Sequence, residues 1–167
     1  MIPIHENLAN KVAVITGGSG VLCSKMAQEL ARQQVKVAII GRTESKVEAV
    51  KEEIVAAGGT AVAITADVLN KDSLLVAKEQ ILEKFGRIDF LINGAGGNHP
   101  DAIIEKEYYE ANSTCLSFFD LQENGFSDVF SLNFTGTFLA CQVFGEALLQ
   151  AESPAIINIS SMSAYTP

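Results

Sequence analysis

Five short runs of consecutive apolar residues punctuate the chain: Val12 to Ile15, Val37 to Ile40, Ala61 to Ile64, Phe90 to Ile92, and Ile156 to Ile159, the last interrupted only by Asn158. Unbroken apolarity, rather than alternation, predicts strands covered on both faces, as in a parallel sheet between two helical layers. Between the first four runs the period lengthens. Leu22, Met26 and Leu30 recur at i, i+4 and i+8, and Val47, Val50, Ile54 and Val55 make a second helical stripe with Gly58-Gly59 placed to end it. Asn70 can cap a third helix that closes at Gly86. The order β-α-β-α-β-α-β predicts an α/β fold, a doubly wound parallel sheet with right-handed crossovers.

From Pro100 to Asn124 the pattern weakens, because polar and aromatic residues mix without a clean period. A loop with at most short helices is predicted, an irregular insert over 100–125 that is long enough to be functional. A helix follows from about Phe126 to about Ala151. It is apolar nearly all round (Leu132, Phe134, Phe138, Leu139, Val143, Phe144, Leu148), which predicts burial against the sheet and against a second subunit.

Length and composition narrow the picture. The 167 residues fit one domain, and 48% hydrophobic with 19% charged residues argues against disorder and against a disulfide-stapled miniature fold. A net charge of -8 without a basic cluster argues against nucleic acid and anionic membrane surfaces as partners. Cys23, Cys115 and Cys141, with only His5 and His99 beside them as soft ligands, lack metal-site or disulfide spacing, so reduced thiols, no metal and a cytoplasmic setting are expected. The first residues, MIPIHENLANK, lack the basic start and apolar core of a signal peptide.

The candidate chemistry begins in ITGGSGVLC, residues Ile15 to Cys23. Gly17, Gly18 and Gly20 separate the first strand from the first helix, where bare backbone lets amides approach a pyrophosphate and the helix N-terminus favours negative charge. Ser19, Val21 and Leu22 complete the turn and are expected cofactor neighbours.

TGGSGVLC, LINGAGG, the LN of SLNFTGTF, and INISS occur in this order and resemble the short-chain dehydrogenase/reductase family, over essentially the whole chain. The resemblance implies NAD(P)-dependent oxidoreductases on a Rossmann fold, three layers α/β/α with strand order 3-2-1-4-5 for the part present. It also implies that 1–167 is the N-terminal portion of a single, longer dinucleotide-binding domain. The turn departs from the commonest pattern TGxxxGxG: Val21 and Cys23 stand at its second and third glycines, whereas Gly20 suits the TGxxGxxG of the extended subgroup, the nucleotide-sugar epimerases and dehydratases. The last glycine serves helix–strand packing, so Cys23 reads as a small buried hydrophobe, with a redox sensor as the alternative. At the end of the second strand Gly41 stands where NAD-preferring members carry Asp, and Arg42 follows it, as in NADP-preferring relatives. NADP(H) is therefore expected over NAD(H), with Glu44 as the counter-argument. Asp67 and Val68 match the family's segment beside the adenine, and Asn93, Gly94, Ala95 and Gly96 match NNAG with Gly for the second Asn.

In this family a Tyr is the acid/base, a Lys four residues later lowers its pKa, a Ser orients the carbonyl and an Asn supports the proton relay. The resemblance assigns Asn133 to the Asn role and Ser161 to the Ser role. The YxxxK motif is absent from this chain: Tyr165 lies too close to Ser161 and no Lys follows it, so the chain alone is expected to be inactive. GGNHP, residues Gly96 to Pro100, and the GVL of the turn resemble the D-mannonate oxidoreductase (fructuronate reductase) branch. That implies a polyhydroxy acid, or another alcohol or carbonyl, as substrate, with Asn98 and His99 offering it hydrogen bonds. The family also implies a homo-oligomer, tetramer or dimer, built on the long helix. A dinucleotide-binding module without catalysis is the alternative from another functional class.

Overall fold

The computed structural model describes residues 4–111 and 113–161; Tyr165 and Pro167 lie outside the described residues. Five strands, β1 (Val12–Thr16), β2 (Lys36–Gly41), β3 (Thr60–Thr65), β4 (Phe90–Asn93) and β5 (Ala155–Asn158), form one parallel sheet in the order β3-β2-β1-β4-β5. Register sets Val12 beside Lys36, Ala13 beside Phe90, Lys36 beside Thr60 and Phe90 beside Ala155. The helices are α1 (Val21–Arg32), α2 (Glu44–Ala56), α3 (Lys71–Phe85), α4 (Glu123–Phe130) and α5 (Gly136–Leu148).

Strand β1 explains why its sequence is apolar without alternation. Val12 and Val14 join the core beneath α3 and α5, while Ala13 and Ile15 join the core beneath α1 and α2. Successive side chains leave a strand on opposite faces, and both faces here are covered. The expected punctuation is also present. Asn70 Oδ1 accepts from the Ser73 amide at 3.0 Å, Gly86 closes α3 at φ 76°, and Gly58 follows α2 at φ 85°. Over 100–122 the described residues form two short 3-10 turns, Pro100–Ala102 and Phe118–Asp120, before α4 begins at Glu123.

Three expectations need correction. The stripe Leu22, Met26, Leu30 does not face the sheet; α1 buries Cys23, Ala27 and Ala31 instead, Met26 and Leu30 flank the contact, and Leu22 is exposed. Small side chains let the helix lie close to the strands, a preference that a search for large apolar residues misses. Val55 is likewise exposed beside the buried Val47, Val50 and Ile54 of α2. The long helix begins at Glu123 and is broken in register by a π-helical turn over Ser131–Thr135. Its buried side is Ala140, Val143, Phe144 and Leu148, while Phe126, Phe130, Phe134 and Phe138 are exposed.

At the N-terminal ends of the strands, Asp89 is fully buried and ties β1 to β4. It accepts from the Val12 amide at 2.9 Å, is gripped by Arg87 through Nε at 2.9 Å and Nη2 at 2.5 Å, and has Lys11 Nζ at 3.6 Å. The site described next lies at the opposite ends of the same strands.

Candidate functional site

The C-terminal ends of β1, β2 and β4 meet around a cavity of about 270 Å³. Its walls are Gly17, Ser19 and Gly20 from the β1–α1 turn, Ile40 and Gly41 from β2, and Arg42, Thr43 and Lys46 at the start of α2. Ala66 and Val68 beyond β3, Gly94, Ala95 and Gly96 beyond β4, and Leu132 complete it. Because β1 has β2 on one side and β4 on the other, the chain reverses its direction of travel across the sheet here. That reversal opens the crevice in which open α/β sheets bind ligands.

Gly17 is required twice over. Its φ of 62° is left-handed, and a Cβ there would sit 2.6 Å from the Gly94 carbonyl oxygen and 2.8 Å from Ala95 Cα. The turn then closes through Gly20 N–H to Gly17 O at 2.9 Å, and Ser24 N–H to Gly20 O at 2.8 Å. No side chain caps α1, so the first helical amides are left to an external acceptor. This cradle of bare backbone fits a pyrophosphate. Gly18 seats the turn on β2, its amide donating to Ile40 O at 3.0 Å. Val21 and Leu22 are exposed and line no part of the cavity, so Val21 in place of glycine does not close the crevice.

The rim toward α2 is cationic. Arg42 just before α2 and Lys46 in its first turn both line it, and among the described residues neither is within ion-pair distance of a carboxylate. A Cβ on Gly41 would meet Val47 Cγ1 at 2.8 Å and Ser19 Oγ at 3.2 Å, so an acidic side chain at this position would displace Val47. Asp67 lies outside the cavity walls. Its Oδ1 accepts from the Leu69 amide at 3.0 Å and its own amide donates to Ser73 Oγ at 3.2 Å, an Asx turn leading into α3.

Across the strand ends Thr16, Asn93 and Asn158 form one row in register. Thr16 Oγ1 accepts from the Gly94 and Ala95 amides at 3.2 and 3.3 Å, which braces the loop after β4. Asn93 is buried below the cavity; its Nδ2 donates to Asn158 Oδ1 at 2.9 Å and toward Cys141 Sγ at 3.2 Å. Asn133 sits in the π-helical turn and clamps the same loop. Its Oδ1 accepts from the Gly97 amide at 3.1 Å, and its Nδ2 donates to Gly97 O at 2.7 Å and Val129 O at 2.8 Å. A π turn inserts an extra residue into the helix and frequently marks functional positions.

His99 Nδ1 accepts from the Asp101 amide at 3.3 Å, and its two nitrogens lie 3.7 Å from Asp101 Oδ2 and 3.9 Å from Asp128 Oδ2. It therefore joins the start of the 100–125 segment to α4. Asn98 is exposed beside it, and Ser161 is exposed three residues beyond β5. Cys23 is buried, and burial pushes its thiol up, which keeps it neutral and unreactive. A separate hollow of about 340 Å³ lies within the 100–125 segment between Tyr108, Tyr109, Phe118 and Phe119, and shares no wall with the cavity at the strand ends.

The sequence reading missed Ile40, Thr43, Lys46, Ala66 and Leu132 as cavity walls. Lys46 had a signal, a second cation in the first turn of the helix that follows Arg42; Leu132 had none, because nothing local tells which face of a π turn meets a distant loop. Among the described residues no three His, Cys, Asp or Glu side chains cluster as a metal site, and no helix is long and apolar enough to cross a membrane.

A family model described as short chain dehydrogenase matches residues 11–167. An uncharacterized oxidoreductase, UxuB, of Bacillus subtilis (strain 168) is 67% identical over 167 residues, covering 100% of this chain and 60% of that protein. An uncharacterized oxidoreductase of Haemophilus influenzae is 41% identical over 168 residues, covering 99% of this chain and 59% of that one. Among solved structures, a proposed D-mannonate oxidoreductase from Haemophilus influenza with bound NAD superimposes with a TM-score of 0.92 at 41% identity, over 96% of this chain and 58% of that one. A metagenomic short-chain oxidoreductase in complex with NADP gives 0.80 at 27% identity, over 97% and 67%. The chain thus spans about 60% of the length of these two curated relatives.

Proposed function

This chain belongs to the short-chain dehydrogenase family, and on that footing we propose that the complete protein is an NADP(H)-linked oxidoreductase interconverting an alcohol and a carbonyl on a polyhydroxy acid such as D-mannonate or fructuronate. The observation that carries this reading is the crevice at the ends of β1, β2 and β4, where uncapped helical amides, Gly17 and the Gly94–Gly96 backbone leave room for a dinucleotide's phosphates. Hydride chemistry is the nicotinamide's own contribution when bound; the chain's residues hold and orient it. In this reading Gly17 to Leu22 take the pyrophosphate side, and Asp67, Val68 and Asn93 to Gly96 take the adenosine side. Asn133 fixes the loop beneath the reacting centre, Ser161 orients the carbonyl, and Asn98 and His99 approach the substrate.

Arg42 and Lys46 on one rim, with Gly41 in place of an acid, support acceptance of a 2′-phosphate. The second reading is NAD(H), favoured by the solved Haemophilus influenza relative with bound NAD. Residues 1–167 form the N-terminal portion of a longer dinucleotide-binding domain in this proposal, with 100–125 as an insert beside the substrate. The remainder supplies the acid/base Tyr and its Lys. Exposed Phe126, Phe130, Phe134 and Phe138 support a homo-oligomer, dimer or tetramer, joined along α4 and α5, and three free cysteines suit a cytoplasmic protein.

The test is a screen of the complete protein over hexonates and ketohexonates with both cofactors. NADPH-dependent reduction of fructuronate is expected. Binding of neither dinucleotide would refute the reading, and binding without turnover would favour the non-catalytic module.

A further inference from the structure

Two departures from the family pattern, far apart in sequence, meet in space. Cys23 stands where the turn's last glycine falls, and Gly94 stands where NNAG has its second Asn. A Cβ built on Gly94 would fall on Cys23 Sγ, whereas the same Cβ would lie 3.7 Å from Cys23 Cβ, an ordinary contact. The sulfur is therefore the main obstacle to a side chain at position 94, with the Thr16 carbonyl oxygen 3.1 Å away the lesser one. Gly94 has no left-handed φ that would demand glycine, so sterics against Cys23 account for its identity.

The contact reaches the crevice through one further layer. The Gly94 carbonyl and Ala95 lie flush against Gly17, leaving no room for a Cβ there, and Thr16 Oγ1 holds both of their amides. Pushing Gly94 off Cys23 thus pushes on the phosphate turn itself. We propose that Cys23 and Gly94 are a coupled positioning pair in which the sulfur, wedged between α1 and β4, sets the spacing between the phosphate turn and the loop after β4. The pair replaces a Gly-and-side-chain arrangement by its mirror image. A side chain has moved from the β4 end to the helix, so position 94 cannot regain one while Cys23 keeps its sulfur. This rests on the dinucleotide reading of the crevice.

The experiment is a double-mutant cycle in the complete protein, with C23A, G94A and C23A/G94A compared for melting temperature without cofactor and for NADH and NADPH dissociation constants by fluorescence. G94A alone is expected to weaken binding of the preferred dinucleotide about tenfold or more and to melt several degrees lower, because overpacking displaces the backbone. C23A alone removes the spacer without adding a clash and is expected to weaken binding about threefold, less than G94A does. The double variant is expected to return to within about threefold of wild type, since the Cβ then meets only Cys23 Cβ and the Thr16 carbonyl, 3.1 Å away. Equal damage from G94A in both backgrounds overturns the coupling. Rescue of melting without any change in dinucleotide binding across the cycle overturns the positioning role and leaves only packing. Absence of dinucleotide binding by the wild type sinks the crevice reading instead, and the melting cycle still reports on the coupling.

Discussion

Replacing Asn133 by Ala removes three hydrogen bonds at once: two to the Gly97 backbone at 3.1 and 2.7 Å and one to Val129 O at 2.8 Å. All three are exposed, so each is worth the lower end of the usual range, about 0.5 kcal/mol, or about 1.5 kcal/mol together. Ala is the better helix former by about 0.5 kcal/mol, which leaves a net loss of about 1 kcal/mol. For a protein of this size that is a fall of roughly 2–4 °C in melting temperature. Global stability is therefore the weaker readout, and the local one is stronger. Gly97 O and the Gly97 amide lose both their partners in this clamp, so hydrogen exchange over the segment following β4 should rise well above wild type while α3 and β2 stay protected. Asn133→Asp keeps the acceptor for Gly97 N–H but points a carboxylate at two carbonyls, and is expected to be the more damaging change. An Asn133→Ala variant whose exchange in this segment matches wild type, with melting unchanged within about 1 °C, would show that the clamp contributes nothing.

Burial alone would push the Asp89 carboxyl up, but Arg87 above all, with the Val12 amide and Lys11, holds it below the ordinary carboxylate range. A folded value below the unfolded one adds stability above about pH 4 that is lost as pH falls through the folded value. D89N should therefore cost about 3 kcal/mol at pH 7 in urea unfolding, with the gap to wild type closing toward pH 2; a gap that widens in acid refutes this. Arg42→Ala should raise the Kd for NADPH about tenfold or more and that for NADH less than threefold, and equal changes for both would remove Arg42 from 2′-phosphate recognition. In the native protein, thiol labelling followed by mass spectrometry should modify Cys115 and Cys141 at least about tenfold faster than Cys23, whose burial both shields the sulfur and raises its pKa. Labelling of Cys23 first would contradict its place in the core.

Strands β1, β2 and β4 were legible because a doubly covered parallel sheet leaves continuous apolar runs, whereas β5 carries such a run but is exposed along its length; the third helix was legible because Asn70 and Gly86 mark its ends chemically. The phosphate turn was legible for the same local reason: Gly17, Gly18 and Gly20 follow a strand directly. Helix α1 was read on the wrong face, since Cys23, Ala27 and Ala31 carry too little hydrophobicity to stand out beside Leu22, Met26 and Leu30. The π turn at Ser131–Thr135 was not legible either. It is stabilised by what Asn133 reaches, and Gly97 is 36 residues away.

Local chemistry along the chain thus determined the order of elements and the bare backbone at the head of α1, while the candidacy of Arg42, Asn93 and Asn133 rested on the resemblance of their motifs to those of the family. Only the tertiary structure decided that His99 lies between the insert and α4, and that Cys23 and Gly94 share one volume. These are excluded-volume and hydrogen-bonding relations between segments that the sheet brings together, and no spacing within either segment encodes them.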